Sequence, residues 1–309
     1  MILCCGEALI DMIPTPTNTQ RDGFVPHTGG AIFNTAVALG RLGTEVAMLT
    51  GLSTDMFGQQ LKADLEASKV DTHLVIEAPR PTTLAFVQLR DGHATYDFYD
   101  ENSAGRMLQP QDMPDLTDEI DTLYFGGISL ACEPGADAYA DLLQRNGDTR
   151  AVMIDPNIRP GFIQDEARYR TRLDKMLAKC DIIKVSDEDL DWIVPGDAGL
   201  DAKVATLLNR GAAMIIVTRG GDGASGYLAD GSQVSVPVEK VQVVDTVGAG
   251  DTFNAGVLAK LSELGLLSKA ALKGMTGDQA KAALAHGAKV AAVTVSRAGA
   301  NPPWAHELS

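Results

Sequence analysis

Short apolar runs alternating with amphipathic stretches constrain this chain more than any other feature. Residues 2–5, 46–49, 122–125, 151–155, 181–185 and 213–218 read as buried strands. Between them, residues 31–42, 55–67, 136–145, 166–179 and 202–209 carry helical spacing. Continuous apolar runs belong to strands covered on both faces, and their alternation with helices implies a mainly parallel central sheet. The expected architecture is an α/β/α sandwich in three layers. No linker, repeat or low-complexity tract divides the 309 residues, so a single domain over 1–309 is expected.

One stretch breaks the alternation. Residues 82–90 and 93–100 are β-rich and flank Asp91-Gly92, a strong hairpin signal. Residues 12–28 read as irregular, with strands that could lie beside that hairpin. The two segments, about 12–28 and 82–102, are expected to form a small β-sheet lid. A second hairpin is expected from 224–228 and 233–237 around Asp230-Gly231, followed by helices over 251–264 and 278–290, with Gly265 capping the first.

Charge narrows the partners. With 26 basic and 41 acidic residues the net charge is −15, which repels nucleic acid and anionic lipid. No apolar run is long enough to span a bilayer, and the first eleven residues lack the basic start of a signal peptide. Cys4, Cys5, Cys132 and Cys180 form no C-x-x-C pair, so neither a disulfide frame nor a zinc site is expected, and a reducing cytoplasm suits the chain. The five histidines show no ligand spacing.

The chemistry concentrates in two segments. In Asp245-Thr246-Val247-Gly248-Ala249-Gly250-Asp251, small residues run directly into a helix. Gly248, Ala249 and Gly250 let backbone N–H groups approach a ligand, and the helix start adds positive potential, which together make an anion site. Asp251 can cap the helix or take a proton from a substrate hydroxyl, and the residues alone leave both roles open. The earlier segment is Gly29-Gly30-Ala31-Ile32-Phe33-Asn34-Thr35-Ala36. Its glycine pair opens a helix, and Asn34 falls near the first turn, where its amide can reach a ligand. Gly221-Asp222-Gly223-Ala224-Ser225-Gly226 fits a dinucleotide fingerprint, but the hairpin after it removes the helix that fingerprint requires. No phosphate-binding P-loop sequence occurs.

Together the two segments resemble the two signatures of the PfkB (ribokinase-like) carbohydrate kinase family, in order and spacing, over nearly the whole chain. The resemblance implies a ribokinase-like fold and transfer of the ATP γ-phosphoryl group to a sugar hydroxyl. It makes Asp251 the general base and Gly248, Ala249 and Gly250 the anion hole. Asp11, read as ending the first strand, then contacts sugar hydroxyls with Gly29, Gly30 and Asn34. Arg159, in Asp155-Pro156-Asn157-Ile158-Arg159, is implied at the sugar or the transferring phosphate. Thr218, Gly220, Gly223 and Ser186 fall on the nucleotide side. The family's N-x-x-E motif is replaced by Ser186-Asp187-Glu188-Asp189, so magnesium is assigned to Asp189 and Glu188 with both signature residues changed. A monovalent cation, potassium, is implied near Asp245 and Val247, and pairing of lids into a homodimer is implied as well.

The lid sequence looks most like that of bacterial fructokinases. Where kinases of 2-keto-3-deoxygluconate carry a basic residue after a tyrosine, this chain has Asp100 beside Glu101, an acidic lid that disfavours a sugar acid unless Arg106 compensates. Fructose is therefore the expected substrate. The alternatives are 2-keto-3-deoxygluconate, another sugar or nucleoside, and a catalytically silent sugar-binding regulator.

Overall fold

In the computed structural model residues 1–18, 22–90 and 93–308 are described. In chain order the strands are β1 (Ile2–Cys5), β2 (Leu9–Pro16), β3 (Asp22–Gly29), β4 (Val46–Leu49), β5 (Gly51–Ser53), β6 (Ile76–Ala78) and β7 (Leu84–Arg90). They continue with β8 (His93–Tyr99), β9 (Thr122–Gly126), β10 (Ala151–Asp155), β11 (Ile182–Ser186), β12 (Met214–Thr218), β13 (Ala224–Leu228) and β14 (Gln233–Val236). The main sheet runs β14-β13-β12-β11-β10-β9-β1-β4. Every pairing from β4 to β12 is parallel, and β13 and β14 add an antiparallel edge.

The two-residue period of a strand builds the layers. Ile2 and Cys4 point into one apolar cluster, Leu3 and Cys5 into the other. The first cluster packs beneath helices Ala31–Arg41, Ala249–Glu263 and Gly277–Val295; the second lies beneath Gly135–Asn146, Glu166–Leu177 and Leu200–Leu208. Both faces of the parallel strands are thus covered, as their unbroken apolar runs require. The Ala249–Glu263 helix ends as expected: Gly265, at φ 68°, donates its N–H to the Ser262 carbonyl.

A second sheet, β3-β2-β7-β8, projects beyond the carboxyl ends of the parallel strands. Its β2–β3 and β7–β8 pairs are antiparallel, and β2–β7 is parallel. Two expectations are corrected. The segment read as irregular is two paired strands, because Leu9 to Pro16 registers residue by residue against Asp22 to Gly29. The sheet therefore starts at Leu9, and Asp11 lies on β2 rather than at the end of the first strand. The Asp91-Gly92 turn lies outside the described residues.

Candidate active site

The late signature forms a backbone cradle. Gly248 opens the Ala249–Glu263 helix in the left-handed region, at φ 77° and ψ 2°, and a Cβ there would lie 2.7 Å from the Ala300 methyl. Conformation and space both demand glycine. Asp245 pins the loop, accepting the Val247 N–H at 3.0 Å and the Gly299 N–H at 2.9 Å. The first-turn N–H groups of a helix without a side-chain cap then point outward, with positive potential, toward a ligand.

Asp251 sits in that first turn. Its carboxylate accepts Asn34 Nδ2 at 2.9 Å, and its carbonyl accepts Thr35 Oγ1 at 3.1 Å. The two sequence signatures thus meet across 217 positions. Burial pushes the Asp251 carboxyl up to about 7; the Asn34 amide opposes that shift, Asp155 and Glu7 reinforce it, and Lys184 opposes it. A carboxylate that gains and loses its proton near neutrality is matched to general-base work.

Two cavities flank the cradle. One, of about 360 Å³, lies between the main sheet and the projecting sheet and is polar; Asp11, Gly30, Asn34, Tyr96, Phe98 and Arg159 line it above Asp155, Lys184 and Asp251. The other, of about 740 Å³, is walled by Pro237, Val238, Val243, Phe253, Ala292 and Val295 and reaches Thr218, Gly220 and Gly223. Thr246, Ala249 and Gly250 line both. An apolar cleft suited to a flat ring system and a polar cavity suited to hydroxyls therefore share one anion-binding turn. A group carrying negative charge can be held there while it passes from one cavity to the other.

The remaining residues fall as follows. Gly29 stays outside the polar cavity, yet a Cβ on it would lie 2.3 Å from Asp11 Oδ2. Gly29→Ala should therefore turn the Asp11 carboxylate away and raise the KM for the hydroxyl-bearing substrate several-fold, with the KM for the nucleotide unchanged; steady-state kinetics on both substrates checks this. Asp11 is pushed up to about 6 by burial. Ser186 lies beside Thr218 in the sheet register but does not line the cleft; its Oγ accepts the Asp189 N–H at 2.9 Å. Asp189 is buried and accepts the N–H of Ile158 at 3.0 Å and that of Ser186 at 3.4 Å, so both carboxylate oxygens hold backbone. Glu188 is exposed. Among the described residues no three His, Cys, Asp or Glu side chains gather as a metal cage. Of the two carboxylates assigned to magnesium, Asp189 is thus committed to backbone and Glu188 is the one left to solvent.

Lys184, Glu7 and Asn254 were not singled out from the sequence. Lys184 is the one charge within β11, among Ile182, Ile183 and Val185, which was its signal. Glu7 accepts the Ala31 N–H at 3.1 Å and the Ser129 N–H at 3.2 Å, so a side chain from the β1–β2 turn supplies the cap that Gly30 lacks. Asp100 corrects the reading of the lid. It is buried and accepts Thr83 Oγ1 at 2.6 Å and Ser103 Oγ at 2.8 Å, with Arg106 at 3.4 Å, and none of the three faces the cavity. The charges that do line the cavity are Glu7, Asp11, Asp155 and Asp251 against Lys184 and Arg159.

Fold and site define an α/β phosphotransferase with a hydroxyl acceptor. The family profile described as pfkB family carbohydrate kinase matches residues 1–307, and the chain belongs to that family of sugar kinases. A fructokinase of Rhizobium leguminosarum bv. trifolii is 54% identical over 270 residues, covering 87% of this chain and 82% of that protein. The crystal structure of a Xylella fastidiosa fructokinase with bound ATP superposes with a TM-score of 0.90 at 29% identity, covering 99% of this chain and 97% of that one. Aminoimidazole riboside kinase of Salmonella enterica superposes with a TM-score of 0.84 at 25% identity, covering 99% and 97%. The ribokinase-like sandwich is thus common to kinases of different sugars.

Proposed function

We propose that this chain is an ATP-dependent fructokinase that forms fructose 6-phosphate. The observation that carries the reading is the shared turn, with an apolar cleft on one side and a polar cavity lined by Asp251 on the other. The cavity's balance of four carboxylates to two cations suits a neutral polyol better than a sugar acid. The 54% identity to a bacterial fructokinase supports the same choice.

In this mechanism Asp11, Gly30, Asn34 and Arg159 hold the sugar, and Asp251 accepts the proton of the attacking hydroxyl. The N–H groups of Gly248, Ala249 and Gly250 face the charge that spreads over the transferring phosphoryl oxygens. Thr218, Gly220 and Gly223 bound the nucleotide cleft, with Ser186 behind Thr218. Magnesium, when bound with ATP, would offset phosphate charge; of the two carboxylates assigned to it, exposed Glu188 would meet it through water, whereas both oxygens of Asp189 already hold backbone. Potassium would sit behind the cradle by Asp245 and Val247, where the loop is tied to Gly299.

The projecting sheet serves as a lid on a single kinase domain spanning 1–309. Tyr96 and Phe98 roof the cavity, and Phe98 meets Phe162 of the main body edge-on at 4.4 Å. On the sheet's other side Phe24 and Tyr99, both part-exposed, pack on Phe86 and offer an apolar face for a second copy, hence a homodimer. The four cysteines are free and buried, which suits the cytoplasm, and no described helix is long and apolar enough to cross a membrane.

A coupled ADP-release assay with magnesium-ATP against fructose, 2-keto-3-deoxygluconate, ribose, tagatose and adenosine tests the reading. Fructose should give the highest kcat/KM. Preference for the sugar acid would instead assign its carboxylate to Arg159 and Lys184. Sugar binding without ADP release would make the chain a regulator.

A further inference from the structure

The polar cavity holds a carboxyl group that the reaction as described does not use. Glu7 follows β1, and each of its oxygens takes a backbone N–H: Ala31 on Oε1 at 3.1 Å and Ser129 on Oε2 at 3.2 Å. Its own carbonyl accepts the Phe33 N–H at 3.2 Å. One residue thus satisfies two of the donors left free at the start of the Ala31–Arg41 helix, and its carboxyl faces the positive end of that helix. Glycines make room for it on two sides. Gly30, at the N-cap with φ 106°, would bring a Cβ to 2.9 Å from the Glu7 carbonyl oxygen, so the helix cannot carry a capping side chain of its own. A Cβ on Gly127, at φ 69°, would overlap Glu7 Oε1. On the far side the brace is anchored to the sheet, because Ser129 Oγ donates to the Gly126 carbonyl at 2.7 Å, at the end of β9.

The helical turn that Glu7 fixes is the seat of Asp251. From that turn Asn34 Nδ2 holds the Asp251 carboxylate at 2.9 Å, and Thr35 Oγ1 holds the Asp251 carbonyl at 3.1 Å. We propose that Glu7 is the positioning residue for the general base: by tying the start of the Ala31–Arg41 helix to the end of β9, it sets the direction from which Asn34 and Thr35 hold Asp251. The inference rests on the kinase reading above. Glu7 takes no proton from the sugar and does not touch the transferring group, since both its oxygens are engaged by backbone. Its effect reaches the reaction through Asp251.

Misplacing a reacting group by about 1 Å can cost about 10²-fold in rate. Glu7→Ala should lose about that factor in kcat. Glu7→Gln keeps one oxygen to cap the helix and should recover part of the loss. The KM for the sugar should rise several-fold in both, and the KM for the nucleotide should stay unchanged, because its cleft takes no wall from the Ala31–Arg41 helix. The decisive comparison repeats both substitutions on the Asp251→Asn background, where no base is left to place. If Glu7 acts through Asp251, each should change the residual kcat there by no more than about twofold, since residues coupled in one network do not contribute additively. Equal losses on the two backgrounds would make Glu7 a scaffold for the whole site and overturn the role. Wild-type kcat in both Glu7 variants would overturn it as well and leave the kinase reading standing. Should Glu7→Ala melt too low to assay, Glu7→Gln carries the comparison by itself. A wild type that releases no ADP with any sugar would overturn the kinase reading and this role with it.

Discussion

Asp251→Asn should reduce kcat by roughly 10²–10⁴-fold, the usual worth of a positioned general base, while sugar and nucleotide affinities stay within a few-fold. The amide keeps the shape of the carboxylate and, after a flip, the hydrogen bond to Asn34. In the wild type, kcat/KM should rise with pH through about 7, because only the ionised Asp251 can accept the hydroxyl proton. The variant's residual activity should lack that limb. Stability should move the other way. The folded-state value of about 7 lies above that of an unfolded aspartate. Ionising it in the fold therefore costs stability progressively as pH rises from about 4 to 7. At pH 8 the asparagine variant should melt no lower than wild type. Kinetic pH profiles and thermal melts check both signs, and unchanged turnover would remove Asp251 from the chemistry.

Asp11→Ala should lower kcat/KM for the sugar by about 10²-fold or more, with the nucleotide KM little changed. Hydrogen bonds to a charged acceptor contribute about 1.5–3 kcal/mol each, and a carboxylate has two oxygens with which to accept them. Burial sets Asp11 at about 6, so the sugar KM should climb as pH falls through that value, below the limb of Asp251. Asp11→Asn should keep part of the affinity and lose this pH dependence. Initial rates over both substrate concentrations at several pH values separate the two carboxyls: Asp251 should govern turnover and Asp11 sugar binding. An Asp11→Ala variant with wild-type sugar KM would place the sugar elsewhere.

The backbone of the late signature was legible because it is contiguous. Gly248, Ala249, Gly250 and Asp251 are consecutive, so their backbone geometry and helix start follow from local rules. The six parallel strands were equally plain, since burial on both faces writes an apolar run. The projecting sheet was only partly visible. Residues 12–18 and 22–28 carry three prolines, whose lost N–H donors argue against strands, yet pairing with a partner on one side satisfied the register.

The sequence by itself therefore determined the sandwich and the small-residue turn that opens the Ala249–Glu263 helix. Tertiary structure alone decided the contents of the polar cavity. Asp11 comes from the projecting sheet, Glu7 from a turn, Asp155 and Lys184 from adjacent strands and Asp251 from a helix. It also turned Asp100, which reads from sequence as a cavity charge, into a buried acceptor for Thr83 and Ser103. The physical reason is range. A backbone conformation is set by a few neighbouring residues, whereas the direction of a side chain and the charges it meets depend on other elements that the fold brings beside it.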